Sequence, residues 1–193
     1  MKKKVISLGR DFDAAFGAIE KTGVVFIWAN SGNGKSSFVM QFCKALCKFG
    51  NVVYNSLEEG VSLTMQNTLK RFGMRECNRL FLLIDGENKE DLSERLLRHK
   101  SADFVVIDSF QYFQMSYIQY LKFKELHSDK MLIFVSHADG KSPAGRAAKS
   151  VMFDATLKIW IEGYRAFSKG RFIGEKGYYD IWYAQAKKYW GES

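Results

Sequence analysis

The stretch Trp28-Ala29-Asn30-Ser31-Gly32-Asn33-Gly34-Lys35-Ser36-Ser37 decides the fold. It follows the apolar run Val24–Trp28 and opens a segment, Ser37–Lys48, whose apolar residues recur at helical spacing. A strand that turns through glycines into a helix is the context in which a Gly-Lys-Ser sequence binds phosphate. Gly32 and Gly34 let the backbone curl so that successive N–H groups face inward, and the helix start adds the positive end of its dipole. Asn30, Ser31, Gly32, Asn33, Gly34, Lys35, Ser36 and Ser37 are therefore the expected phosphate cradle. In such a cradle Lys35 reaches the β- and γ-phosphates of ATP, and the Ser36 hydroxyl holds Mg²⁺. Ala29 stands where this motif ordinarily begins with glycine.

Outward from this loop, apolar runs recur at Val52–Asn55, Leu80–Ile84, Phe104–Ile107 and Met131–Val135. Like Val24–Trp28 they are continuous and rich in β-branched and aromatic residues, the pattern of strands buried on both faces. Between them lie helix-like segments at Gly60–Phe72, Asp91–Arg98 and Ser116–Leu126. This alternation predicts an α/β fold: a mostly parallel sheet flanked by helices and joined by right-handed crossovers. Two later runs, Thr156–Ile161 and Tyr178–Tyr183, alternate more clearly and are separated by 163–177. They predict a C-terminal antiparallel extension. Phe49-Gly50 predicts a glycine stop for the first long helix, and Asn88 predicts an N-cap through Asp91. Ala138–Ser150 holds the only proline, Pro143, and reads as a flexible loop. No repeat or linker interrupts the pattern, so residues 1–193 are expected to form one domain.

Composition narrows the function. Hydrophobic residues are 47% and charged residues 26%, as in ordinary globular chains, which excludes disorder as the main state. No apolar run reaches the roughly 18 residues of a membrane span. Met1-Lys2-Lys3-Lys4 is basic, but no apolar segment with a cleavage site follows it. Cys43, Cys47 and Cys77 are an odd, sparse set, which argues against a secreted disulfide scaffold and for a cytoplasmic location. Cys43 and Cys47 fall on one helix face with Val39, Phe42 and Leu46 and read as core thiols. Lys and Arg total 29 against 21 Asp and Glu, a net charge of +8 that favours polyanions: nucleic acid, nucleotide or anionic lipid.

Acidic residues mark the ends of two predicted strands. Asp108 closes Phe104–Ile107, where a carboxylate points into the crevice beyond a parallel sheet and can bind Mg²⁺ through water. Glu58 and Glu59 follow Val52–Leu57, and either can orient water near a γ-phosphate. Ser136-His137 ends the Met131–Val135 run, placing a polar group to sense that phosphate. His99 and His127 fall near helix ends and read as surface residues.

In this order the motifs resemble the RecA-type ATPase core, in the branch that contains RadA/Sms, KaiC and the DnaB-like helicases. The resemblance spans roughly residues 8–183. Val53-Tyr54-Asn55-Ser56-Leu57-Glu58-Glu59 is similar to that branch's catalytic-glutamate strand, and Ala102–Gln111, with its Ile-Asp-Ser-Phe-Gln tail, to its Walker B strand. Phe134-Val135-Ser136-His137 resembles the sensor strand. Lys169-Gly170-Arg171-Phe172 is similar to a basic Lys-x-Arg hairpin that in some members reaches the neighbour's nucleotide and in RadA bears on DNA. The resemblance implies a stand-alone core, without the additional domains of those relatives. It implies an Mg²⁺-dependent ATPase that works as a ring or filament, with Glu58 the better base and Glu59 beside it. Arg171 or Lys169 would act across the subunit interface.

The basic residues Lys141, Arg146 and Lys149 occupy the position of the family's DNA-binding loops and are the expected grip on single- or double-stranded DNA. Lys187-Lys188-Tyr189-Trp190 mixes cations with aromatics, suited to stacking on bases or to docking on a neighbour. Two other functions use the same loop. One is a nucleotide-switched partner-binding module that does not act on DNA. The other is a small-molecule kinase, for which no acceptor pocket or lid arginines are recognisable.

Overall fold

A computed structural model describes residues 4–192; Met1–Lys3 and Ser193 lie outside the described residues, so of the basic start only Lys4 is described. In chain order the elements begin β1 (Val5–Ile6), α1 (Arg10–Phe16), β2 (Ile19–Glu20), β3 (Gly23–Ala29), α2 (Lys35–Leu46), β4 (Val52–Ser56) and α3 (Leu63–Arg71). A 3₁₀ stretch, Met74–Leu80, leads to β5 (Phe81–Ile84), α4 (Lys89–Leu97), β6 (Phe104–Asp108), α5 (Phe110–Phe113) and α6 (Tyr117–Leu126). The rest is β7 (Met131–Asp139), β8 (Ser142–Pro143), α7 (Arg146–Asp154), β9 (Leu157–Glu162), β10 (Arg165–Ser168), β11 (Tyr178–Asp180) and α8 (Tyr183–Trp190). Among the described residues no helix is long and apolar enough to cross a membrane.

β1 and β2 pair with each other. The remaining strands form one sheet in the order β11-β10-β9-β3-β7-β6-β4-β5, with β8 beside β7. From β9 to β5 every neighbouring pair is parallel, and β9-β10-β11 run antiparallel at one end. The expected mostly parallel sheet with a C-terminal antiparallel extension is present.

Because successive strand residues face opposite sides, each central strand feeds two apolar layers. In β3, Val25, Ile27 and Ala29 pack with Phe38, Phe42 and Leu46 of α2. Val24, Phe26 and Trp28 pack on the other side with Phe110, Tyr120 and Phe134. Burying each such side chain is worth roughly 1.5–3 kcal/mol. A slip of one residue would exchange the two layers, so the packing fixes the register. On the α2 side, Phe12 of α1 stacks on Tyr179 of β11 at 4.3 Å between ring centroids and ties the small N-terminal unit to the extension.

Several local expectations are corrected. The Thr156–Ile161 run is β9, parallel to β3; its antiparallel partner is β10, inside the stretch read as a connector. The sequence Arg165-Ala166-Phe167-Ser168 has too few apolar residues to signal a strand, and its buried Arg165 hides it. Only Tyr178–Asp180 of the last run is extended, because Tyr183 begins α8. Residues 138–150 form the end of β7, a turn, β8 and the first half of α7, not a flexible loop. Leu82 of β5 is 48% exposed, since β5 is an edge strand with one open face. Gly50 has no left-handed φ; a Cβ there would lie 2.3 Å from Asp103 Oδ2, so close approach is what excludes a side chain. His127 is buried against Phe123, with its Nε2 2.9 Å from Ser93 Oγ, rather than on the surface. Asn88 does cap α4, accepting from Asp91 N at 2.9 Å, and all three cysteines are buried and free.

Candidate nucleotide site

Strand register assembles the site. β3 and β7 pair with Ala29 opposite His137, and β4 and β6 pair with Ser56 opposite Asp108. Leu57 N then donates to Asp108 O at 2.7 Å, which carries Glu58 and Glu59 to the same end of the sheet. Asn30, Ser31, Gly32, Gly34, Lys35, Ser36, Ser37, Glu58, Glu59, Asp108 and His137 line one cavity of about 270 Å³. It lies beyond the carboxyl ends of parallel strands, where ligands bind such sheets.

The loop holds its shape through bonds to the C-terminal extension. Gly34 has φ 94°, and a Cβ there would stand 3.3 Å from the Tyr164 ring and 3.5 Å from Ile181, so backbone and space both require glycine. Asn33 lies outside the cavity lining and ties the loop down. Its Oδ1 accepts from Gly163 N at 2.8 Å, its carbonyl accepts from Tyr164 N at 3.2 Å, and its Nδ2 donates to Asn30 O and Ser31 O. Asn30 Nδ2 donates to Gly140 O at 2.8 Å, and Trp28 Nε1 donates to Lys141 O at 3.0 Å. These bonds anchor the turn after β7.

Charge in the cavity is unbalanced toward negative. Burial pushes the Asp108 carboxyl above its usual range, against the pull of Lys35 and a hydrogen bond donated by the Tyr54 hydroxyl. Burial, then Asp108 and Glu58, push Glu59 up, and Lys35 opposes them. Tyr54 is raised by burial and by the same carboxylate. His137 Nε2 lies 3.0 Å from Glu58 Oε2.

No cluster of three or more His, Cys, Asp or Glu side chains capable of holding a metal occurs among the described residues. The cavity offers instead a hydroxyl, Ser36, and a carboxylate, Asp108. This small hard-oxygen set suits Mg²⁺, which keeps waters and phosphate oxygens as its other ligands.

Lys169 and Arg171 are exposed in the loop between β10 and β11 and do not line the cavity of their own chain. Lys141 is exposed at the β7–β8 turn. Arg146 and Lys149, three residues apart, are exposed on α7.

Three groups carry the site without having been singled out in the sequence. Gln111 donates to Ser136 Oγ at 2.8 Å and to Ala144 O at 2.9 Å, and accepts from His137 N at 3.1 Å. It was legible only as the tail of the Ile-Asp-Ser-Phe-Gln sequence. In the sequence Tyr54 is one more residue of the apolar run Val52–Asn55. Tyr164 and the 57%-exposed Trp182 meet edge to face at 6.0 Å beside Gly34, brought together from separate segments.

The sheet order, the loop from β3 into α2 and the layers of helices define a RecA-like P-loop fold. The flagellar accessory protein FlaH of Methanocaldococcus jannaschii has a similar structure, with a TM-score of 0.65 and 17% identity over 92% of each chain. A KaiC-like protein from Pyrococcus horikoshii OT3 is also similar, with a TM-score of 0.64 and 17% identity over 92% of this chain and 99% of that one. At this identity the likeness is one of fold. No family model matches the chain, and no curated sequence does.

Proposed function

We propose that the protein binds ATP in this cavity and hydrolyses it, acting on DNA as an oligomer. The observation that carries the reading is the convergence of Lys35, Glu58, Glu59 and Asp108 with a glycine-rich loop on one cavity. Loop N–H groups and the Lys35 ammonium hold the β- and γ-phosphates. Ser36 and Asp108 would hold Mg²⁺, which when bound neutralises phosphate charge. Glu58, or Glu59 beside it, orients a water in line with the γ-phosphorus and takes its proton. The new bond joins water oxygen to phosphorus as the bond to the β-phosphate oxygen breaks. Tyr164 and Trp182 supply an aromatic surface for the base.

Oligomerisation is supported by Lys169 and Arg171, which are exposed, do not line the cavity of their own chain and would complete a neighbour's site. DNA action is supported by exposed Lys141, Arg146 and Lys149 and by the net charge of +8. A second reading, a nucleotide-switched partner-binding module, is favoured by the links from His137 through Gln111 to Ala144. Those bonds carry any shift at the cavity toward β8 and α7.

The test is ATPase rate with and without single- and double-stranded DNA, alongside sizing chromatography with and without ATP·Mg²⁺. Stimulation by DNA and an ATP-dependent larger species are expected. ATP binding without DNA stimulation moves the reading to the partner-binding module, and absence of ATP binding removes both.

A further inference from the structure

A second cavity of the same volume, about 270 Å³, lies at the opposite end of the sheet, where Asn51 and Ala102 lead into β4 and β6. Arg79, Arg95, Arg98, His99 and Lys100 line it, and among the described residues no Asp or Glu does. Its floor is apolar, made by Val53, Leu82 and Leu96.

Two of the cations are held in place. Arg95 Nε donates to Glu87 at 2.9 Å, and Arg98 pairs with Glu94 at 3.0 Å. The side chains of Arg79, His99 and Lys100 are exposed and make no hydrogen bond or ion pair among the described residues. The turn Arg98–Ser101 is closed by Ser101 N donating to Arg98 O at 3.1 Å and braced by Ser101 Oγ donating to Leu96 O at 2.6 Å. Within it Lys100 takes φ 59°, and Asn78, next to Arg79, takes φ 54°. Glycine fits both positions at less cost.

We propose that this cleft binds phosphate groups. The Arg79 guanidinium, which no carboxylate engages, offers paired N–H donors that match phosphate oxygens, and Lys100 adds a point charge. The apolar floor strengthens those contacts by lowering the local dielectric. The phosphates come either from the backbone of single-stranded nucleic acid or from a small polyphosphate compound.

The chain's three histidines separate this cleft from the nucleotide cavity. His99 lines the cleft, His137 lines the nucleotide cavity and His127 is buried. The imidazole Cε1 proton resonances of the whole chain, assigned with His99→Gln and His137→Gln, are followed while tripolyphosphate, oligothymidylate or polyglutamate is added. The His99 resonance is expected to move saturably with a phosphate probe. Arg79→Ser combined with Lys100→Ser should weaken that response roughly tenfold or more, while the His137 response to tripolyphosphate persists. Movement with oligothymidylate assigns the cleft to a nucleic-acid backbone, and movement with tripolyphosphate alone assigns it to a small ligand. A His99 resonance that ignores both, or that moves as readily with polyglutamate, overturns the proposal. A His137 response without a His99 response does so while leaving the nucleotide reading intact.

Discussion

The His137 imidazole meets the Glu58 carboxylate at 3.0 Å in the lining of the candidate nucleotide cavity. The two residues come from the ends of different strands, and Gln111 fixes the His137 backbone by accepting its N–H. Glu58 is thus aimed by a partner that is itself anchored.

If His137 aims the carboxylate that positions water, its loss acts through Glu58. His137→Asn should lower ATP turnover about tenfold, and Glu58→Gln by roughly two decades or more. The double variant should be no slower than Glu58→Gln alone, because the pair acts as one unit. Glu59→Gln should be milder than Glu58→Gln. Additive losses in single-turnover rates would show that His137 acts independently, and a larger effect at Glu59 would assign the water to that residue.

Lys35→Ala should leave the far-ultraviolet circular dichroism unchanged, since Lys35 belongs to neither apolar layer. Nucleotide affinity should fall by about tenfold to a hundredfold, the worth of a charge-assisted hydrogen bond to phosphate. Isothermal titration with ATP·Mg²⁺ measures this, and an unchanged affinity would rule out the loop as the phosphate site.

Activity per chain should rise with protein concentration if a neighbour completes the site. Arg171→Ala should flatten that rise while changing stability by less than about 0.5 kcal/mol, because Arg171 is exposed. ATPase rates over a dilution series decide the matter. Activity independent of concentration and of Arg171 would exclude a shared site.

Arg165 joins the extension to the chain end. It is buried, donates to Asp180 at 2.7 Å, pairs with Glu192 at 2.5 Å and lies over the Tyr178 ring at 4.5 Å. Burial pushes the Asp180 carboxyl up, but hydrogen bonds from Lys176 and Arg165 outweigh it and hold the group below its usual range. The folded chain therefore releases this proton more readily than the unfolded one. The resulting stability is full above the ordinary aspartate value of about 3.9 and is lost as pH falls through the depressed value. Arg165→Met should cost about 3 kcal/mol near neutral pH, and the gap from wild type should narrow in strong acid. Urea unfolding at both pH values measures it. A gap that persists in acid would assign the effect to packing on Tyr178 instead of charge.

Much of the fold was legible because its signals are local. Continuous β-branched runs gave the central strands, and Asn88 marked the start of α4. Where the signal was weak, tertiary contacts overrode it. β10 exists because its backbone pairs with β9 and β11, and its buried Arg165 finds acids from β11 and the chain end. The segment 138–150 is ordered because Trp28, Asn30 and Gln111 donate to its carbonyls.

By itself the sequence determined the glycine-rich turn from β3 into α2, the parallel α/β alternation around it and the identity of Lys35, Glu58, Asp108 and His137 as candidates. Each of these rests on residues within one turn or one strand. Only the tertiary structure decided that they share a cavity, that His137 grips Glu58 and that a second, basic cleft opens at the far end of the sheet. Those outcomes depend on strand register. Register is set by two apolar layers whose members are far apart in the chain, so no local window contains it.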